Sequence, residues 1–388
     1  MSLKMRTIPS TLLSAAFLVA ALSMPAQATT LQFAGFSFIS DHAEIESRYP
    51  ITSALLREAP RLLDKKLLEQ LKEVRRDDLE IVTSKLANLR QGEGLALTLA
   101  LDDEVVSVEK IRDLYKIVVG LNAQGLVFDF EELSVIASFP IAVEYLDVST
   151  EPPSGDYLRG LVRKLYLGGL EVNLMDEFVA SLEAVSIRER FGARIGVEQV
   201  IIGEKATPHL PEYLRESPQA AQVMVAQSFS KFLSKNQRVS VLPYTKGHAI
   251  GNKMSARFAD GRVYTLEIPE PDYSVDLNLR GFKKVEFNKQ SSGSSWVYGV
   301  YLGVKVYESL TQKVFAELSL KNGVTKLVPA SQTNVDHWTA FQESLQSLME
   351  ETTQQIDDPE RSWAKSHAAD KSAVKHLKNL QSVMEACR

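Results

Sequence analysis

Three groups of residues have types and spacings that could do chemistry. The first is Asp102-Asp103-Glu104, three consecutive carboxylates directly after the apolar run 95–101. Carboxylates at the end of a buried strand are placed where an α/β protein offers oxygens to a divalent metal or a substrate. No further ligand group stands nearby in the sequence, so the competing reading is a solvated strand end. The second group is the loop Thr245-Lys246-Gly247-His248-Ala249-Ile250-Gly251-Asn252-Lys253, which follows a strand and carries Lys246, His248, Asn252 and Lys253 as candidate ligand or partner contacts. The third is the ribbon bearing Trp296, Tyr298, Tyr301 and Tyr307. Alternation puts Trp296 and Tyr298 on one face and Tyr301 and Tyr307 on the other. An exposed second face would be an interaction surface. A covered one would be core.

The search for catalytic constellations is negative. There is no Gly-x-Ser-x-Gly, no His-Glu-x-x-His and no phosphate-cradling glycine loop. The six histidines, at 42, 209, 248, 337, 367 and 376, include no close pair of the kind zinc needs. The sequence therefore predicts no catalytic residues and no cofactor, and it leans away from an enzyme.

The elements that must position these groups repeat. Residues 119–137 lie on residues 298–316 without a gap: Val119, Leu121, Ala123, Gly125 and Val127 alternate as Tyr298, Val300, Leu302, Val304 and Val306 do. An aromatic-acid pair follows in each, Phe128-Asp129 and Tyr307-Glu308, then a short turn and a returning strand. Each hairpin is followed by a helix, at 157–167 and 338–355. Further elements are a first strand at 31–38, helices over 53–89 broken at Pro60, a strand at 95–101, helices at 174–185 and 218–233, and strands at 197–202, 238–244, 264–268 and 273–287. Such a set predicts an α/β (α+β) chain of two related domains. Each would be a mixed or antiparallel sheet with a long hairpin covered by helices. The expected division is 29–190, 191–356 and a polar helical tail at 357–388.

Lys4 and Arg6, an apolar run at 12–22 and Pro25-Ala26-Gln27-Ala28 read as a secretory signal cleaved after Ala28. The expectation is a periplasmic protein without a membrane span or lipid anchor once the signal is removed. The formal net charge of −5, more negative still without Lys4 and Arg6, argues against binding nucleic acid through a general field. The lone cysteine, Cys387, precludes an internal disulfide and is expected in a frayed, exposed tail.

Val239-Ser240-Val241-Leu242-Pro243-Tyr244 resembles the strand that opens the α/β domain of the curli-secretion protein CsgG and of the TolB amino-terminal domain. Asp272-Tyr273-Ser274-Val275-Asp276-Leu277-Asn278-Leu279-Arg280-Gly281-Phe282 resembles that family's following strand. The resemblance spans about 215–356, more faintly 31–166. It implies a similar fold and a role in envelope assembly or secretion through protein contact. The chain lacks the family's amino-terminal cysteine and its long barrel-forming strands, so pore formation is not implied. Three roles stay open: contact with an unidentified envelope protein, binding or hydrolysis of a small molecule between the domains, and self-association through exposed strand edges in a surface machine.

Overall fold

The computed structural model describes residues 28–39, 45–83, 94–187, 192–244, 252–258, 261–332 and 335–388. The first half runs β1 (Thr29–Ile39), α1 (Ile45–Arg48), α2 (Pro50–Glu58), α3 (Leu62–Leu71), β2 (Leu79–Val82), β3 (Leu95–Ile111), β4 (Leu114–Asp129), β5 (Ser134–Ser149), α4 (Gly155–Leu167) and α5 (Leu174–Ala184). The second runs β6 (Ile195–Lys205), α6 (Glu212–Arg215), α7 (Pro218–Gln237), β7 (Val241–Leu242), β8 (Lys253–Phe258), β9 (Val263–Glu267), β10 (Tyr273–Gln290), β11 (Gly293–Glu308), β12 (Val314–Pro329), α8 (His337–Gln354), α9 (Arg361–His367) and α10 (Ala373–Cys387).

The chain is a mixed α/β protein with one seven-stranded and one five-stranded sheet, and the two share a plan. The order β2-β1-β3-β4-β5 in the first sheet matches β7-β6-β10-β11-β12 in the second. In both, the first three strands of that order are parallel and the last three form an antiparallel meander. The irregularities coincide too. Under the overlay of 119–137 on 298–316, the register slips between Val127 and Phe128 in one hairpin and between Val306 and Tyr307 in the other. Both turns then pass through a left-handed residue at the same place, Leu133 (φ 51°) and Gln312 (φ 58°). A second slip skips Asp102 opposite Ala123 and Asn122, and its counterpart skips Arg280 opposite Leu302 and Tyr301. Bulges re-aim a strand at a definite point, so shared bulges give the two ribbons the same bend.

Local sequence explains most of the elements. Ser154 caps α4 by accepting from Tyr157 N, Asn173 caps α5 from Met175 N and Asp176 N, and Asp336 caps α8 from Trp338 N. The predicted helix over 53–89 ends sooner, at Leu71, and Leu79–Val82 is instead a strand parallel to β1. Its alternation of Leu79 and Ile81 suits an edge strand, and that tertiary pairing overrides the helical pattern. Strand β3 does not stop at the acidic trio but runs through it to Ile111, because the bulge at Asp102 lets the ladder with β4 continue.

Helices α2 to α5 cover one face of the first sheet, with Leu63, Leu67, Val162, Leu165 and Phe178 buried there. The opposite face is covered from the second half of the chain. At one end the β8–β9 hairpin pairs with β1 and β5 and seals Met254, Phe258 and Leu266 against Ala96, Ala100, Leu126 and Phe128. Thus 252–268, expected inside the second domain, completes the first sheet. The small side chains Ala34, Ala96 and Ala100 leave the depth that the hairpin's large ones fill. Toward the other end lie α7 and α8, which also cover the inner face of the second sheet together with α10. The tail expected to be polar and frayed is therefore part of the second core, with Leu377, Leu380, Val383 and Met384 buried. Cys387 is buried with them, and that burial pushes its thiol up to about 12. Among the described residues no helix is long and apolar enough to cross a membrane.

Candidate functional site

The acidic trio sends its three side chains to three different places, which its position inside a bulged strand dictates. Glu104 faces α2 and accepts from Ile51 N (2.8 Å), Thr52 N (2.8 Å) and Thr52 Oγ1 (2.5 Å). Asp102 accepts from Gln227 Nε2 on α7 and stands 3.7 Å from the Arg48 guanidinium. Arg48 and Tyr49 also bond the Asp102 carbonyl, at 2.7 and 3.0 Å, and so hold the bulge. Of the three, Asp103 alone lines the open space between the sheet and α7. Divergent carboxylates cannot share an ion, and among the described residues no group of three acidic, histidine or cysteine side chains could hold one.

That space is a cleft of about 560 Å³. Its floor is the second face of the first sheet, with Asp103, Val105, Gly120, Asn122, Ala142 and Glu144. Its roof comes from α6, α7 and α8, which contribute Tyr213, Gln227, Lys231, Phe232, Trp338 and Gln342. One ion pair fixes the roof to the floor: buried Lys116 on β4 meets Asp336, the cap of α8, at 2.6 Å. Lys231 Nζ donates to Ala142 O at 2.9 Å, and Gln342 Nε2 donates to Glu144 at 3.2 Å.

The cleft shifts its own titrations. Burial, then repulsion by Asp102, raises Asp103 to about 6 against the pull of Arg48. Burial raises Asp102 to about 6 as well, and Arg48 and Gln227 only partly offset it. Glu104 is raised chiefly by burial, and so is Glu144, whose carboxylate is hemmed in by protein although solvent reaches it through the open cleft. Burial lowers Lys231. Carboxylates raised in the folded state bind protons there before they do in the unfolded chain. Stability should therefore rise as pH falls from about 6.5 toward the ordinary carboxylate range near 4. Asp336 acts in the opposite sense, since hydrogen bonds from Lys116 and Thr339 outweigh its burial and lower it. Below that range its contribution is lost. The urea midpoint is expected to be higher at pH 5 than at pH 7.5 and to drop below pH 4. A midpoint that falls steadily from pH 7.5 to pH 5 would contradict this.

The other sequence candidates divide. Lys246 and His248 lie outside the described residues. Asn252 adopts φ 58° and lines, together with Tyr307, a second cavity of about 340 Å³ bounded by Glu198, Pro243 and Pro271. Lys253 is exposed and opens β8 opposite Glu267. Tyr301 and Tyr307 share the outer face of β11 as alternation requires, while Tyr298 is in the core and bonds His337 Nδ1 at 3.0 Å. The Tyr307 hydroxyl donates to Asp276 at 3.3 Å, and Lys305 Nζ lies 4.9 Å from the Tyr307 ring. The cleft residues Gln227, Lys231, Glu144 and Tyr213 were not distinguishable in the sequence, because they lie far apart along the chain.

No family model matches the chain, and no curated protein does. Among solved structures it is similar to a DUF330 protein of Xanthomonas campestris, at 13% identity over 44% of this chain and 87% of that one, with a TM-score of 0.23. A hypothetical protein of Chlamydia trachomatis is similar at 12% identity over 42% and 96%, with a TM-score of 0.26. A lipoprotein of Neisseria meningitidis is similar at 14% identity over 35% and 93%, with a TM-score of 0.16. Likenesses this remote transfer no role.

Proposed function

We propose that this is an exported, periplasmic protein built from two copies of one module, and that it works by protein contact in the bacterial envelope. One observation carries the reading: the same sheet face is covered in the first module and bare in the second. On the first sheet Gly120 lies between Val105 and Glu144, and Asn122 between Asp103 and Ala142. Their ladder equivalents on the second are Gly299 between Lys283 and Gly323, and Tyr301 between Gly281 and Lys321. The first set forms the floor beneath α7. The second lines a shallow open groove edged by Ser366 and His367 of α9.

The bare face has the composition of a contact surface. Half-buried Tyr301 stands on it beside Lys283, Lys305 and Lys321, and its distal end exposes Val285 (43%), Phe287 (76%) and Leu327 (71%), whereas Tyr307 at the other end is buried. Exposed apolar and aromatic residues gathered on one face mark interaction sites. In the first module a helix carrying Lys231 lies over the acidic Asp103 and Glu144, so the matching occupant of the basic second face is a helix bearing carboxylates. The CsgG and TolB resemblance fits such a role.

The test uses the mature chain, tagged, with a photo-crosslinking residue at position 301, in envelope extracts. A discrete adduct is expected that Val285→Glu and Lys321→Glu reduce at least fivefold, while Lys326→Glu on the opposite face leaves it unchanged. Adducts insensitive to all three substitutions would remove this reading.

A further inference from the structure

The cleft under α7 is independent of the bare face, and its lining points to a ligand. We propose that it is a binding site for a small organic cation, an ammonium or guanidinium compound held by Asp103, Glu144 and the amide oxygen of Gln227 between the aromatic side chains of the roof. Its volume of about 560 Å³ lies within the roughly 300–1,000 Å³ usual for small-molecule sites.

The donor and acceptor inventory selects the charge. Asp103, Glu144 and Glu177 line the cavity, and the one basic side chain among the described residues of its wall, Lys231, already donates to the Ala142 carbonyl. An anion would meet three carboxylates. A neutral polyol would leave their charge uncompensated. The amide of Gln227 gives a second, separate indication. Its Nε2 must face Asp102, since a carboxylate accepts only from a donor, and this fixes its orientation. Its Oε1 is then buried with no hydrogen-bond partner, on a side chain that is 6% exposed and lines the cavity. An unpaired buried acceptor is costly and is commonly explained by a missing donor. An ammonium or guanidinium group supplies that donor and compensates the carboxylates together. Tyr213, Phe232 and Trp338 add aromatic faces, which attract a cation and cover its apolar stem.

The mature protein would be titrated calorimetrically in 150 mM sodium chloride with putrescine, spermidine, arginine and lysine. Glucose, sucrose and sulfate serve as neutral and anionic controls. At least one cation should bind saturably at one site per chain, and the controls should not. Glu144→Gln, at the solvent side of the cleft, and Asp103→Asn should each weaken that binding tenfold or more, with circular dichroism confirming that both variants are folded. Lys289→Met, outside the cleft lining, should leave it unchanged. No heat with any cation would overturn the proposal. So would binding of the sugars in preference to the cations, or equal affinity in Glu144→Gln and the parent.

Discussion

Gly125→Val is expected to destabilise the chain by about 3 kcal/mol or more, and Phe139→Leu in the same chain to restore most of the loss. A Cβ at Gly125 would fall 2.1 Å from the Phe139 ring, which is 1% exposed and stacked on Phe178 at 5.8 Å, so neither ring can withdraw. Gly125 faces Phe139 across the β4–β5 ladder. At the equivalent rung of the second hairpin Val304 faces Leu318. The same volume is divided as none plus large in one module and as medium plus medium in the other. Writing the second solution into the first module should therefore work, whereas writing half of it should not. Phe139→Leu alone should cost about 1–2 kcal/mol, as a cavity does. The three tryptophans, at 296, 338 and 363, all lie in the second module, so circular dichroism and tryptophan fluorescence report the halves unequally. In Gly125→Val the dichroism midpoint in urea should fall before the fluorescence midpoint. A neutral Gly125→Val, or a double variant no better than the single, would contradict the equivalence of the two rungs.

The hairpins were legible because their alternation is long and uninterrupted, and because the two ribbons alternate and turn at matching positions. The end of β3 was not. Three carboxylates in a row look like an exit to solvent, and only the pairing of Asp103 with Asn122 and of Glu104 with Leu121 shows that the ladder continues past them. Helix α7 was legible as a helix but not as a wall between sheets. Its buried positions, from Ala221, Val223 and Val225 through Gln227, Ser230 and Ser234, pass around the whole cylinder because β5 lies on one side and β6 on the other. Polar residues on such a helix read as its wet side, which hid Gln227 and Lys231. The placement of β8–β9 was equally out of reach, since Met254 and Phe258 fit a surface made of Ala34, Ala96 and Ala100 more than 150 residues away. What alternation cannot encode is which module a strand joins.

Glu104→Ala should cost about 3 kcal/mol, and Glu104→Gln about half of that, for a reason that also decides what the acidic trio does. Helix α2 begins at Pro50 behind Tyr49, whose side chain makes no capping bond, so the amides of Ile51 and Thr52 have no local acceptor. Glu104 reaches across from β3 and accepts from both, placing a negative charge at the positive end of the helix. Thr52 Oγ1 bonds the same carboxylate and lies 2.8 Å from the Tyr166 hydroxyl of α4, so the cap also ties two helices to the strand. Alanine leaves two amides unpaired and takes the carboxylate from the Thr52 hydroxyl, which keeps only Tyr166. Glutamine keeps one acceptor and turns a donor toward the amides. Urea unfolding at pH 7.5 measures both costs, and repeating it with calcium or with a chelator separates a structural cap from a metal ligand. The midpoint of the parent chain should be the same in either solution. A calcium-dependent rise that disappears in Glu104→Gln would restore the metal reading of the trio, and a Glu104→Ala chain as stable as its parent would remove the cap.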